Sequence, residues 1–133
     1  MTQTTQMLDG ETQAVIDANA LIAAQNDSFR STFGASLGIS GTVVHTQGVS
    51  ALDYDLQMQI MVKVMTFSQF DEDNDPFQDH TFGAFSVTNA DVGEINLFWK
   101  IDLYDTSYTF HSPEPSNPKV TRRVLTIMLT SEY

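Results

Sequence analysis

The 133-residue chain contains no cysteine. That removes disulfides, thiolate nucleophiles and sulfur-ligated zinc together as sources of stability or chemistry. Basic side chains are scarce as well: six lysines and arginines stand against 17 aspartates and glutamates, for a net charge of −11. A surface poor in cations is ill suited to nucleic acid or anionic lipid, which proteins bind by neutralising phosphates. No apolar run approaches the roughly 20 residues that a bilayer-spanning helix needs. The opening stretch MTQTTQMLDGETQ has neither the positive start nor the apolar core of a secretory signal. No G-x-S-x-G elbow, phosphate-binding glycine loop or H-E-x-x-H helix occurs. These absences predict a cytoplasmic protein with no direct nucleic-acid contact, no membrane association and no cofactor.

What is present suffices for one folded domain. At 41% apolar and 11% aromatic residues the chain can build a core without staples. Residues 1–12, rich in Thr and Gln, are expected to be flexible, and 13–133 to form a single domain. Val15, Ala18, Ile22, Phe29 and Phe33 recur at helical spacing up to a stop at Gly34. TVVHTQG, 42–48, reads as a short strand.

LDYDLQMQIMVKV, 52–64, alternates like a strand. It is nevertheless built of good helix formers, and Ser50 with Asp53 resembles a capping box, so a helix running to Phe67 is expected. Such a helix carries two apolar lines, Leu52-Leu56-Ile60-Phe67 and Tyr54-Met58-Met61-Met65, and so predicts cover on two sides. HTFGAFSVT and INLFWKIDLYD read as a hairpin through the turn NADVGE, with Ile95, Leu97, Trp99, Ile101 and Leu103 on one face. SYTFHS is either a short strand or an extended loop. Asn117 and Pro118 suit the start of a final helix, VTRRVLTIMLTSEY. The predicted class is α+β, a small antiparallel sheet packed against about three helices in the order α-β-α-β-β-α.

The acids are unevenly distributed. FDEDNDPFQDH, 70–80, holds five carboxylates and no basic residue, and nine acidic residues lie between Asp71 and Asp105 against Lys100 alone. Asp71, Asp73 and Asp75 have the alternate spacing of a calcium loop, but Pro76 stands where that loop needs glycine and Phe82 where it needs glutamate. The plainer reading is a capped turn, with Asp and Asn bonding the backbone. A third reading makes the loop part of a docking face. Its candidate residues are Asp71, Glu72, Asp73, Asp75, Phe77, Asp79, Glu94, Asp102, Tyr104 and Asp105, with Phe98 and Tyr108 as further aromatic anchors. A small metal-dependent or hydrolytic enzyme using Asp79, His80 and Asp102 is the competing reading, with His45 and His111 the other groups suited to neutral-pH proton transfer. Arg122 and Arg123 are expected to pair with hairpin acids, Asp102 among them.

The segments FDEDNDPFQDHTFGAF, FWKIDLYD and NPKVTRRVLTIMLTSEY resemble a family of small bacterial proteins known as domain of unknown function 3768, over about Phe29 to Tyr133. The resemblance implies a bacterial, mainly alphaproteobacterial origin, often on plasmids and other mobile elements. It implies no activity and no site residues; the family's alanine-rich counterpart of 51–68 favours the helix there. Together with size and charge, it leads to an expected function as a non-enzymatic acidic binding protein, monomer or homodimer. Its expected partner is a basic protein or nucleoprotein complex, with the chain an inhibitor of nucleic-acid-handling or defence machinery of the anti-CRISPR or antirestriction kind. A dimeric structural protein is the remaining alternative, which an exposed apolar patch on 52–67 would favour.

Overall fold

A computed structural model describes residues 9–133. Most of the expected flexible segment, residues 1–8, lies outside those described. The first helix, α1 (Gly10–Ser31), starts before the expected domain boundary because Asp9 caps it, accepting the Thr12 N–H at 2.7 Å. Its second half enters the core through Ile22 and Phe29, whereas Val15 and Ile16 in the first half are exposed. Gly34, at φ +87°, ends it by donating its N–H to the Phe29 carbonyl at 2.8 Å.

Strand β1 (Gly41–His45) follows, then a one-turn helix α2 (Gln47–Ser50) and α3 (Tyr54–Met65). The helical reading of 52–64 holds, but the helix is confined to Tyr54–Met65 and stops short of the expected Phe67. Its cap differs from expectation, since Asp53 is itself the N-cap and accepts the Leu56 N–H at 3.0 Å, while Ser50 closes α2. Cover on two sides does not hold either. Leu56 and Ile60 are buried, but Tyr54 and Met58 on the other line are exposed.

The hairpin of β2 (Phe82–Asn89) and β3 (Gly93–Tyr104) forms as its alternation requires. Asn89 accepts the N–H groups of Asp91 and Val92, and Gly93 takes φ +74°. After β3 the 105–121 connection makes one isolated bridge, Tyr104 to His111.

The expected final helix is instead a strand, β4 (Arg122–Leu129), followed by a 3-10 turn, Thr130–Glu132. The sheet order is β1-β4-β3-β2, with β1 parallel to β4 and the remaining pairs antiparallel, so the sheet is mixed rather than purely antiparallel. β4 lies between two strands and carries apolar residues on both faces: buried Leu125 and Ile127 on one, half-exposed Val124 and buried Met128 on the other. A strand of that kind lacks the polar gaps that separate period 2 from period 3.6. Helix propensity in Arg, Leu and Met is a weak prior that two ladders of hydrogen bonds override. Asn117 caps a turn rather than a helix, accepting the Lys119 N–H at 3.0 Å.

One face of the sheet, bearing Leu97, Trp99, Ile101, Leu125 and Ile127, packs against Phe29 of α1 and Leu56, Ile60 and Val64 of α3. The class remains α+β, with three helices over a four-stranded open sheet.

Candidate functional site

The site grows from a cation placed at the junction of the two long helices. Arg30, buried near the end of α1, donates to the carbonyls of Val64 at 3.1 Å and Phe67 at 2.8 Å, where α3 runs out of its own donors. Its guanidinium lies 4.8 Å from the Trp99 ring centroid and 3.0 Å from the carboxylate of Asp27. Asp27 is thereby held in place one turn earlier on α1.

His80 completes the arrangement. Its Nδ1–H donates to Asp27 at 2.9 Å, Nε2 lies 3.4 Å from a carboxylate oxygen of Asp75, and the ring stacks on Phe70 with centroids 3.8 Å apart. The residue sits at φ +56°, a left-handed conformation that costs a non-glycine residue roughly 1–2 kcal/mol. The surrounding contacts hold it there. Asp75 is buried and accepts the N–H groups of Asp79 and His80 at 3.1 and 3.0 Å, and Asp71 accepts those of Asp73 and Asn74. The loop is therefore built of side-chain-capped turns. Among the described residues no three histidine or carboxylate groups come together as a cation would need.

Between α1 and this loop lies a cleft of about 600 Å³. Ala20, Ala23 and Ala24 form one wall; Phe70, Asp71, Glu72, Asp75, Pro76, Gln78 and His80 form the other, with Asp27 at their junction. Four carboxylates line it and no lysine or arginine does. The methyl wall, Phe70 and Pro76 suit the aliphatic stem of a long side chain, and the carboxylates suit its cationic head.

The other expected site residues are distributed. Asp73 is exposed on the same loop, and Phe77 is 71% exposed at its tip, its carbonyl accepting from Asn19 of α1 at 3.1 Å. Asp79, Asp102 and Tyr104 line a second cleft of about 240 Å³ together with His111. Burial pushes the Asp79 carboxyl up from its ordinary value. His80 and the pair Asp79 and Asp102 thus face different clefts. Glu94 sits near the start of β3, ten residues from Tyr104, or about 33 Å along an extended strand. Asp105 is engaged in its own turn: backbone N–H bonds from Thr109 and the hydroxyl of Ser107 hold its carboxyl below the usual range.

Neither arginine near the C-terminus pairs with Asp102, which takes Lys100 at 3.0 Å instead. Arg122 donates to the Thr121 carbonyl, and Arg123 points into the core, donating to Asn26 at 2.7 Å and Gln25 at 2.9 Å. The residue that sequence reasoning missed is Asp27. Its spacing of three from Arg30 was the available signal.

A family described as protein of unknown function, DUF3768, matches residues 45–132, well over half of the chain. The chain belongs to the DUF3768 family. No curated protein and no solved structure matches it. The DUF3768 match begins at the end of β1, so the acidic loop lies within it, whereas α1, which supplies Asp27 and the alanine wall, precedes it.

Proposed function

We propose that this DUF3768 chain is an acidic protein-binding module whose cleft between α1 and the 70–80 loop seats an arginine or lysine from a basic partner. One observation carries the reading: a concave site lined by Asp27, Asp71, Glu72 and Asp75 without a single lysine or arginine. Charge complementarity of this kind speeds encounter and selects partners. A net charge of −11 extends the attraction beyond the cleft.

The partner class that fits is a cytoplasmic nucleic-acid-handling protein or nucleoprotein complex, whose basic groove the chain occupies as an inhibitor. Host defence machinery of the CRISPR or restriction type belongs to that class, since it must hold nucleic acid through basic surfaces.

Clean probes are Glu72 and Asp73, whose side chains make no hydrogen bond within the described residues; Asp71 and Asp75 hold the loop together and are unsuitable. Titration calorimetry with an oligo-arginine peptide should show binding that weakens steeply between 50 and 500 mM salt, on the order of tenfold or more. Glu72→Lys and Asp73→Lys should each weaken it about three- to tenfold. Pull-down from the native host, repeated at high salt, then identifies the partner. Peptide binding that ignores both salt and the two reversals would rule the cleft out.

A further inference from the structure

The sheet has two edges, β1 and β2, and they are not equivalent. In an antiparallel ladder successive residues direct their backbone groups alternately to one neighbour and then to the other side. The Thr81 carbonyl accepts from the Ile101 N–H at 2.8 Å, so the odd-numbered residues of β2 face β3 and the even-numbered ones face outward. At Thr88 that outer side is closed, because Gln59 of α3 reaches round and bonds both the Thr88 N–H and its carbonyl. Phe82, Ala84 and Ser86 have no such cover, and among the described residues nothing pairs with their outward N–H and C=O groups. Beside them runs a groove of about 430 Å³ between α3 and β2, lined by Val62, Lys63, Phe67 and Phe85 among others. Val62 is 52% exposed there.

We infer that this edge joins a second copy of the chain, two β2 strands pairing antiparallel about a two-fold axis at Ala84. Charge decides the occupant. FGAFSVTN carries no charged side chain and no proline, the usual devices that keep an edge strand single. In a chain of net charge −11 a neutral stretch is where two copies approach with least repulsion. Lys63 beside the groove opposes the basic segment that the acidic cleft would attract.

Geometry agrees with charge. A two-fold at Ala84 sets Ala84 against its own copy and Phe82 against Ser86, so each outward N–H meets an outward carbonyl, and the interface is self-complementary as an isologous dimer requires. The Phe85 side chain then lies opposite Gly83, which has none to obstruct it. Val62, exposed beside the edge, is sheltered in the pair. The β1 edge is shorter, at five residues.

Sedimentation equilibrium on the full chain should give the mass of two chains at micromolar concentration. Ala84→Lys places like charges directly opposite at an exposed position and should raise the dissociation constant at least about tenfold, leaving the thermal midpoint of the monomer intact. Val44→Lys on β1 should leave the dimer unchanged. Because the chain has no cysteine, Ala84→Cys supplies a single thiol whose copy stands about 5.5 Å away between Cα atoms, within disulfide range. It should cross-link to a covalent dimer under mild oxidant, and Ala90→Cys in the hairpin turn should not. A monomer at all concentrations, a dimer lost through Val44→Lys but not Ala84→Lys, or no preference for the Ala84→Cys cross-link overturns the inference. So does binding of a heterologous strand peptide at this edge in place of self-association.

Discussion

Arg123 shows what a single buried cation requires. It is fully buried, no carboxylate meets it, and two amide oxygens from α1, on Asn26 and Gln25, take its Nε and one Nη. Its other Nη finds no partner among the described residues. Burial lowers its pKa from the ordinary guanidinium range to about 10. For a base whose folded pKa lies below its unfolded value, the cost of charge is fully present at neutral pH and is relieved as pH rises through about 10. The residue therefore serves geometry more than net stability, tying β4 to α1 through a planar fork. Arg123→Lys cannot reach both amides and leaves one of them buried without a donor, so urea denaturation should show a loss of about 1–3 kcal/mol. Arg122→Lys, on the half-exposed neighbour, should change stability by less than about 0.5 kcal/mol. Equal effects for the two would mean that the amide pair does not depend on the fork.

At the scale of elements, β2 is positioned by what it lacks. Gly83 faces the core beneath Trp99, and a Cβ there would lie 2.4 Å from the Trp99 indole nitrogen and 2.7 Å from the Phe67 ring. The Phe67, Phe70 and Trp99 rings, packed edge to face with centroids 5.2–6.1 Å apart, also carry Arg30 and through it Asp27 and His80. Gly83→Ala must therefore push aside a ring cluster that supports the cleft. It should destabilise the fold by about 1–3 kcal/mol and raise amide exchange across 70–80 together. Exchange that rises in β2 alone would mean the cluster and the loop are uncoupled. The hairpin beside it was legible in the sequence because its signals are local: a two-residue alternation and turn chemistry at Asn89 and Gly93. Helix α3 was legible because the helix propensity of its Leu, Gln, Met and Lys and the line Leu56-Ile60 act within one or two turns, whereas its cap, Asp53 rather than Ser50, was not. β4 was not, since its identity depends on neighbours that arrive from residues 41–45 and 97–104.

For the whole molecule, the charge balance sets the response to solution conditions. Among the described residues the ion pairs of lysine and arginine are Arg30 with Asp27 and Lys100 with Asp102, which leaves most of the 17 acids unneutralised. Self-repulsion of that kind opposes the compact state and is screened within about 8–10 Å at physiological salt. Raising sodium chloride from 10 to 300 mM should increase the thermal midpoint by roughly 3–6 °C. A midpoint that falls with salt would show that the few attractive pairs outweigh the repulsion.

The amino-acid sequence alone determined the class, the first and third helices, the hairpin and the excess of negative charge. Each rests on composition or on patterns no longer than a few residues. Only the tertiary structure decided that the last element is a strand, that Arg123 turns inward, and that Asp27 and His80, 53 residues apart, share a hydrogen bond. Those outcomes depend on which surfaces meet after folding, and a linear pattern holds no term for a partner that is distant along the chain. The site lies in that second category: its loop could be read, but the wall that makes it a cleft could not.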